Sequence, residues 1–204
     1  RGRGGGWAVA GVLQTSVWRL EEGRAPLPEP LDTARRVRIR PNSVRHGRTA
    51  TPADVPVIRD LIHELATYEK VPHEARATEA QLHDALFGEH PAAYAHIAAD
   101  DTTGEPVGFA LWFLNFSTWR GVHGIYLEDL YVRPEARGGG HGKALLTELA
   151  RLCVERGYQR LEWAVLNWNT PSIGFYESLG ARPQNEWTVY RLTDEALTAL
   201  GTTY

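Results

Sequence analysis

The chain has 204 residues, 43% hydrophobic and 23% charged, the composition of one ordinary globular domain with or without an appendage. No apolar run approaches the roughly 18 residues of a membrane-spanning helix, the 10% aromatic content is too high for a disordered chain, and the lone Cys153 can build neither an internal disulfide nor a multi-thiolate metal site, which fits a reducing, cytoplasmic setting. The net charge of −3 divides unevenly: residues 1–50 carry ten Arg against four carboxylates, and the remainder 12 basic against 21 acidic residues, a balance that suits a small cationic partner better than nucleic acid.

Residues 1–41 lack a sustained period. Arg1 to Gly6 is a Gly/Arg tract, Trp7 to Leu13 a short apolar run, and Pro26, Pro28 and Pro30 break any helix that follows. The stretch reads as a flexible leader. It is a poor signal peptide, with only seven apolar residues and no A-x-A site, and two Arg without interleaved aromatics make a poor nucleic-acid segment. The chain contains no Met, position 1 included, and residues 1–41 are given little functional weight. The folded domain is expected over residues 42–204.

A strand is expected from Val44 to Thr49, then a helix with Thr51 as N-cap, Pro52 at its first position and Asp54 in its first turn. Val55, Ile58, Leu61, Ile62 and Leu65 give that helix one apolar face to about Glu69. Thr78 and Gln81 form a capping-box pattern that opens a second helix ending near Gly88. Three β-like runs follow, Tyr94 to Ala99, Pro106 to Asn115 and His123 to Val132, and read as an antiparallel meander. A glycine loop then leads into a helix with Leu145, Leu146, Leu149, Leu152 and Cys153 inward and Gly157 as its stop. A strand from Arg160 to Leu166, a short helix from Asn169-Thr170-Pro171 through Ser178, ended by Gly180, and a last strand from Trp187 to Leu192 complete the chain. Strand–helix–strand order requires a crossover and parallel pairing of the two central strands, so the fold is α/β with a mixed sheet.

The most informative local feature is Arg137-Gly138-Gly139-Gly140-His141-Gly142-Lys143. Glycines let a backbone approach an anion closely, and the free amides of a helix N-terminus bind phosphate. It is not a Walker loop, because Lys143 precedes Ala144 and the spacing is absent. It is not the dinucleotide fingerprint either, since no early strand–G-x-G-x-x-G–helix unit exists. Glu128 stands out because it interrupts an apolar and aromatic strand, where an ionisable group is costly without a partner or a task; a salt-bridged strand residue is the plain alternative. Tyr176 alone reads as a core aromatic. The eight His are scattered without H-x-x-x-H or H-E-x-x-H spacing, so no metal is expected.

Arg137-Gly138-Gly139-Gly140-His141-Gly142 fits the R-x-x-G-x-G pyrophosphate loop of the GNAT N-acetyltransferases. Leu65-Ala66-Thr67-Tyr68-Glu69, Phe87-Gly88-Glu89-His90-Pro91, Gly108-Phe109-Ala110, Tyr126 to Val132 and Trp168 to Tyr176 resemble the diamine (spermidine/spermine) and thialysine branch of that family, in order across residues 43–193. The resemblance implies a mixed central sheet splayed at an acetyl-CoA site and flanked by helices. It places backbone groups of Leu130, Tyr131 and Val132 on the pantetheine arm, as a peptide adds to a strand edge. Arg137, Gly138, Gly139, Gly140, His141, Gly142 and Lys143 fall at the pyrophosphate, where the helix dipole favours it, and Asn169, Pro171, Ser172 and Tyr176 are further implied acetyl-CoA contacts.

By the same resemblance Glu128 draws the proton from the bound amine and Tyr176 protonates the departing sulfur, two needs of acetyl transfer. Tyr68, Glu69 and Glu128 are the implied substrate contacts, Glu69 through a charge-assisted bond to a distal ammonium. The loop after Ala181 is shorter than in the polyamine enzymes, so neither Asn185 nor Glu186 is assigned, whereas Glu69-Lys70 and Ala164-Val165-Leu166 look like the thialysine type. The implied activity is direct transfer of acetyl from acetyl-CoA to a primary amine of a polyamine, diamine or amino acid, in a homodimer with no nucleic-acid or membrane partner. The rivals are acetylation of an antibiotic, another metabolite or a protein amine, and an acyl-CoA-binding sensor without turnover.

Overall fold

The computed structural model describes residues 47–203; the leader and the Val44 to His46 part of the first expected strand lie outside the described residues. Five strands form one sheet in sequence order: β1 (Arg48–Thr49), β2 (Tyr94–Ala99), β3 (Pro106–Ser117), β4 (Val122–Val132) and β5 (Leu161–Trp163). Neighbours are antiparallel except β4 and β5, which are parallel. The helices are α1 (Val55–Tyr68), α2 (Glu79–Phe87), α3 (His141–Arg156), α4 (Thr170–Ser178) and α5 (Asp194–Gly201).

The expected punctuation sets the boundaries. Thr78 Oγ1 accepts the Gln81 N–H at 3.3 Å while the Gln81 carboxamide accepts the Thr78 N–H at 2.9 Å, a reciprocal capping box that opens α2. Gly140 (φ 87°) and Gly157 (φ 68°) bracket α3 in left-handed conformations that a side chain resists. Asp54 is buried at the start of α1, where it accepts from both Arg48 guanidinium nitrogens and from the Thr51 N–H.

Two apolar clusters cover the two faces of the sheet. On one, Ala110, Trp112, Ile125 and Leu127 pack with Leu145, Leu146, Leu149, Leu152 and Cys153 of α3. On the other, Ile97, Phe109 and Tyr131 pack with Ile58 and Leu61 of α1 and Leu86 of α2. Within the α3 layer Trp112 Nε1–H donates to His96 Nδ1 at 3.1 Å, and burial pushes the His96 pKa down to about 4, so the ring is neutral and its proton sits on Nε2.

A β-bulge in the middle of β4 shapes everything that follows. Leu111 pairs with Asp129 and Trp112 with Leu127, so Glu128 is the extra residue. Paired residues share a face, and the bulge shifts the alternation by one. Ile125 and Leu127 face α3, whereas Tyr131 beyond the bulge faces α1.

Two expectations are corrected and one element is added. β5 spans only Leu161–Trp163 rather than Arg160 to Leu166. Trp187 to Leu192 does not form a strand: it has no ladder partner among the described residues, and Val189 and Tyr190 are 83% and 92% exposed. Alternation supplies strand propensity, but a strand needs an edge to pair with. α5 was not anticipated, although Thr193 followed by Asp194 and Glu195 is an ordinary helix start.

Candidate active site

Because β5 meets β4 only at Ile125, Tyr126 and Leu127, the sheet opens beyond that point. Residues 128–132 of β4 have β3 on one side and, among the described residues, no strand on the other. The Arg133 N–H donates to Val107 O at 2.9 Å, so ladder alternation turns the N–H and C=O of Leu130 and Val132 to the open side. Val132 O confirms this, accepting Arg137 Nε at 2.9 Å.

The open edge runs straight into the glycine loop. Gly138 (φ 82°) and Gly140 (φ 87°) hold left-handed conformations, and a Cβ built on either meets nothing within 4 Å, so the loop's outer face is clear. His141, Gly142 and Lys143 form the first turn of α3, with their amides at its positive end. An extended amide-bearing chain fits the strand edge and a diphosphate fits the glycine loop. The donor set suits the two parts of acetyl-CoA in the order the backbone presents them.

α4 forms the opposite wall. Asn169, buried, caps it by accepting the Ser172 N–H at 3.4 Å, with Pro171 in the first turn. Tyr176 packs against Trp163 at 4.9 Å and Phe175 at 5.4 Å, and Phe175 lies 3.8 Å from the Cβ position of Gly142. Burial, then the Glu69 carboxylate and Tyr68, hold the Tyr176 pKa above its ordinary value, so the phenol keeps its proton at neutral pH.

The end of α1 ties the walls together. The Tyr68 hydroxyl donates to Asn169 Oδ1 at 3.1 Å, and the Tyr68 ring carries the Arg137 guanidinium at 5.0 Å. That guanidinium also lies 5.7 Å from the Tyr131 ring. Arg137 is therefore engaged with Val132 O and two aromatic faces while its charge stays beside the loop.

The carboxylates are arranged differently from the sequence reading. Glu128 is exposed, so the burial argument made for it does not hold. The bulge turns its neighbour Asp129 inward toward α1, and burial, with the Glu128 and Glu69 carboxylates adding repulsion, raises the Asp129 pKa to about 6. Glu69, the C-cap of α1, is itself pushed up by burial. Asp129 was missed because strict alternation assigns inward and outward positions wrongly after a bulge; the adjacent Glu128-Asp129 pair was visible, but not which member turns in. Of the other expected positions, contacts link Tyr68 with Asn169 and Arg137, and Arg137 with Tyr131 and Val132, while Tyr176 meets Trp163 of β5.

Among the described residues no group of three or more His, Cys, Asp or Glu is placed to hold a metal. No described helix is long and apolar enough to cross a membrane.

The acetyltransferase (GNAT) family model matches residues 58–181. The chain is 32% identical over 196 residues to L-ornithine N5-acetyltransferase of Arabidopsis thaliana, covering 75% of this chain and 86% of that protein. It is 37% identical over 162 residues to thialysine N-epsilon-acetyltransferase of Bos taurus, covering 75% and 95%. Among solved structures, an integron cassette protein from the mobile metagenome of V. cholerae superposes with a TM-score of 0.65 at 27% identity, over 77% of this chain and 97% of that one. A sheet that opens beside a glycine loop, matched over these lengths, makes the chain a member of the GNAT family and an acetyl-transferring enzyme.

Proposed function

We propose that the protein transfers acetyl from acetyl-CoA to a primary amine of a small diamine, polyamine or diamino acid, by direct attack within a ternary complex. The observation that carries this reading is the unpaired edge of β4 running into the glycine loop, with Glu69, Glu128, Asp129 and Tyr176 at its head. When bound, acetyl-CoA supplies an activated acyl group and a thiolate leaving group. The outward backbone groups of Leu130 and Val132, next to Tyr131, hold the amide-bearing arm. The amides of residues 138–143, with the Arg137 charge beside them, hold the diphosphate, and Asn169, Pro171 and Ser172 close the other side.

Tyr68 and Glu69 bind the distal end of the amine. Glu128, exposed at the bulge, accepts the proton of the attacking ammonium, and Asp129 beneath it concentrates negative potential there. Tyr176 holds the proton that the departing sulfur needs. Cys153 is buried in the α3 layer with its pKa raised by burial, which suits packing rather than covalent catalysis. The diamino acids named for the plant and bovine relatives favour that substrate class. We further place the enzyme in the cytoplasm as a homodimer; the exposed Trp187, Val189, Tyr190, Leu192, Leu197 and Leu200 support a second copy covering the C-terminal segment.

Amide hydrogen exchange with and without acetyl-CoA tests the donor site. Protection is expected at residues 130–132 and 138–143 and not at β1 or α5. No protection at the β4 edge would contradict this placement of the donor.

A further inference from the structure

The last turn of α1 ends in a residue whose conformation is costly. Lys70 has φ 67° at the position after the C-cap, where glycine is the usual choice, and the turn closes through Val71 N–H to Ala66 O at 2.9 Å and Lys70 N–H to Thr67 O at 3.1 Å. A lysine held there bears backbone strain, and such strain gathers at functional positions. Its ammonium lies 5.4 Å over the Trp168 ring, and Trp168 packs on Tyr68 at 5.9 Å. Both rings are half exposed or partly buried at the mouth of the site. None of the ion pairs among the described residues includes Lys70, although Glu69 precedes it directly. The mouth therefore presents an inward carboxylate, Glu69, and a carboxylate-free ammonium, Lys70, on consecutive residues.

A polyamine has no use for that cation. Its distal nitrogens are all positive, and the Lys70 ammonium repels them while occupying the Trp168 face that would otherwise stack on an alkylammonium. A diamino acid carries both signs at the end remote from its reacting amine. Resting on the acetyltransferase reading above, we infer that Lys70 is a specificity residue that takes the α-carboxylate of a diamino acid while Glu69 takes its α-ammonium, so that the Glu69-Lys70 pair selects amino-acid acceptors over diamines. Trp168 positions Lys70 by holding its stem and charge at the rim.

Binding rather than turnover gives the cleanest test, because it reports even if catalysis does not occur. Calorimetry on the full chain with CoA present compares ornithine with putrescine, which differ by the α-carboxylate. In Lys70→Gly the left-handed conformation is relaxed, so the variant is expected to melt no lower than wild type. Its ornithine affinity is expected to fall tenfold or more and its putrescine affinity to rise severalfold; Lys70→Arg is expected to recover most of the ornithine affinity. Equal changes for both ligands, an unaltered ornithine affinity, or a wild type that binds neither would overturn the inference. Lys70-dependent ornithine binding without any CoA release would leave it standing and remove the acetyl-transfer reading instead.

Discussion

Tyr176→Phe is expected to lower kcat by about two to four orders of magnitude, the usual contribution of a positioned general acid, with acetyl-CoA still binding. The substitution removes one oxygen and leaves the ring packing on Trp163 and Phe175 in place. The Tyr176 hydroxyl also has no hydrogen-bond partner within the described chain that its loss would orphan. The pKa held up by burial and by Glu69 keeps the phenol protonated throughout the working pH range, so its effect belongs in kcat and not in the acid limb of the pH profile. Single-turnover kinetics with saturating acetyl-CoA separate the two; a kcat within about threefold of wild type would remove Tyr176 from proton transfer.

Asp129→Asn is expected to act in opposite directions on activity and stability. The folded carboxyl titrates near 6 against an ordinary value of 3.8, so folding favours its protonated form. That advantage is fully present below the unfolded pKa and is lost as pH rises through about 6, so at pH 7 the ionised group costs the fold on the order of 1 to 3 kcal/mol. The Asn variant should therefore melt higher than wild type at pH 7, with the difference shrinking toward pH 4. The wild-type kcat/KM is expected to show an acid limb near pH 6; in the variant kcat/KM should fall tenfold or more and that limb should be lost. A variant with a lower melting temperature and an intact acid limb would show that Asp129 is structural.

Much of the architecture could be read from the residues because each boundary has a local cause. The Thr78 and Gln81 box, the Gly140 and Gly157 brackets of α3 and the apolar face of α1 all depend on near neighbours in sequence. The elements that failed depend on distant ones. Trp187 to Leu192 alternates like a strand, but no strand edge among the described residues receives it. β5 is cut to three residues because β4 diverges from it past Leu127, and the same divergence creates the site. The bulge at Glu128 is the sharpest case: one extra residue, set by pairing with β3, decides that Asp129 is half-buried while Glu128 is exposed, and no pattern within β4 announces it. The left-handed glycines and helix start of the loop Arg137 to Lys143 were legible because glycines before a helix have a direct physical meaning, and the anion role remains part of the proposal. The roles of Tyr68 and Glu69 came only from resemblance, and the link from Tyr68 to Asn169 spans 101 positions.

The most direct measurement is release of free CoA from acetyl-CoA by the purified protein with ornithine, thialysine, putrescine, spermidine or no amine, with the products identified by mass. Amine-dependent release, with one acetyl found on the amine for each CoA freed and diamino acids giving the highest kcat/KM, is the predicted result. Acetyl-CoA bound but no CoA released with any of these amines would contradict the account, and leave an acyl-CoA-binding protein with a different acceptor or none.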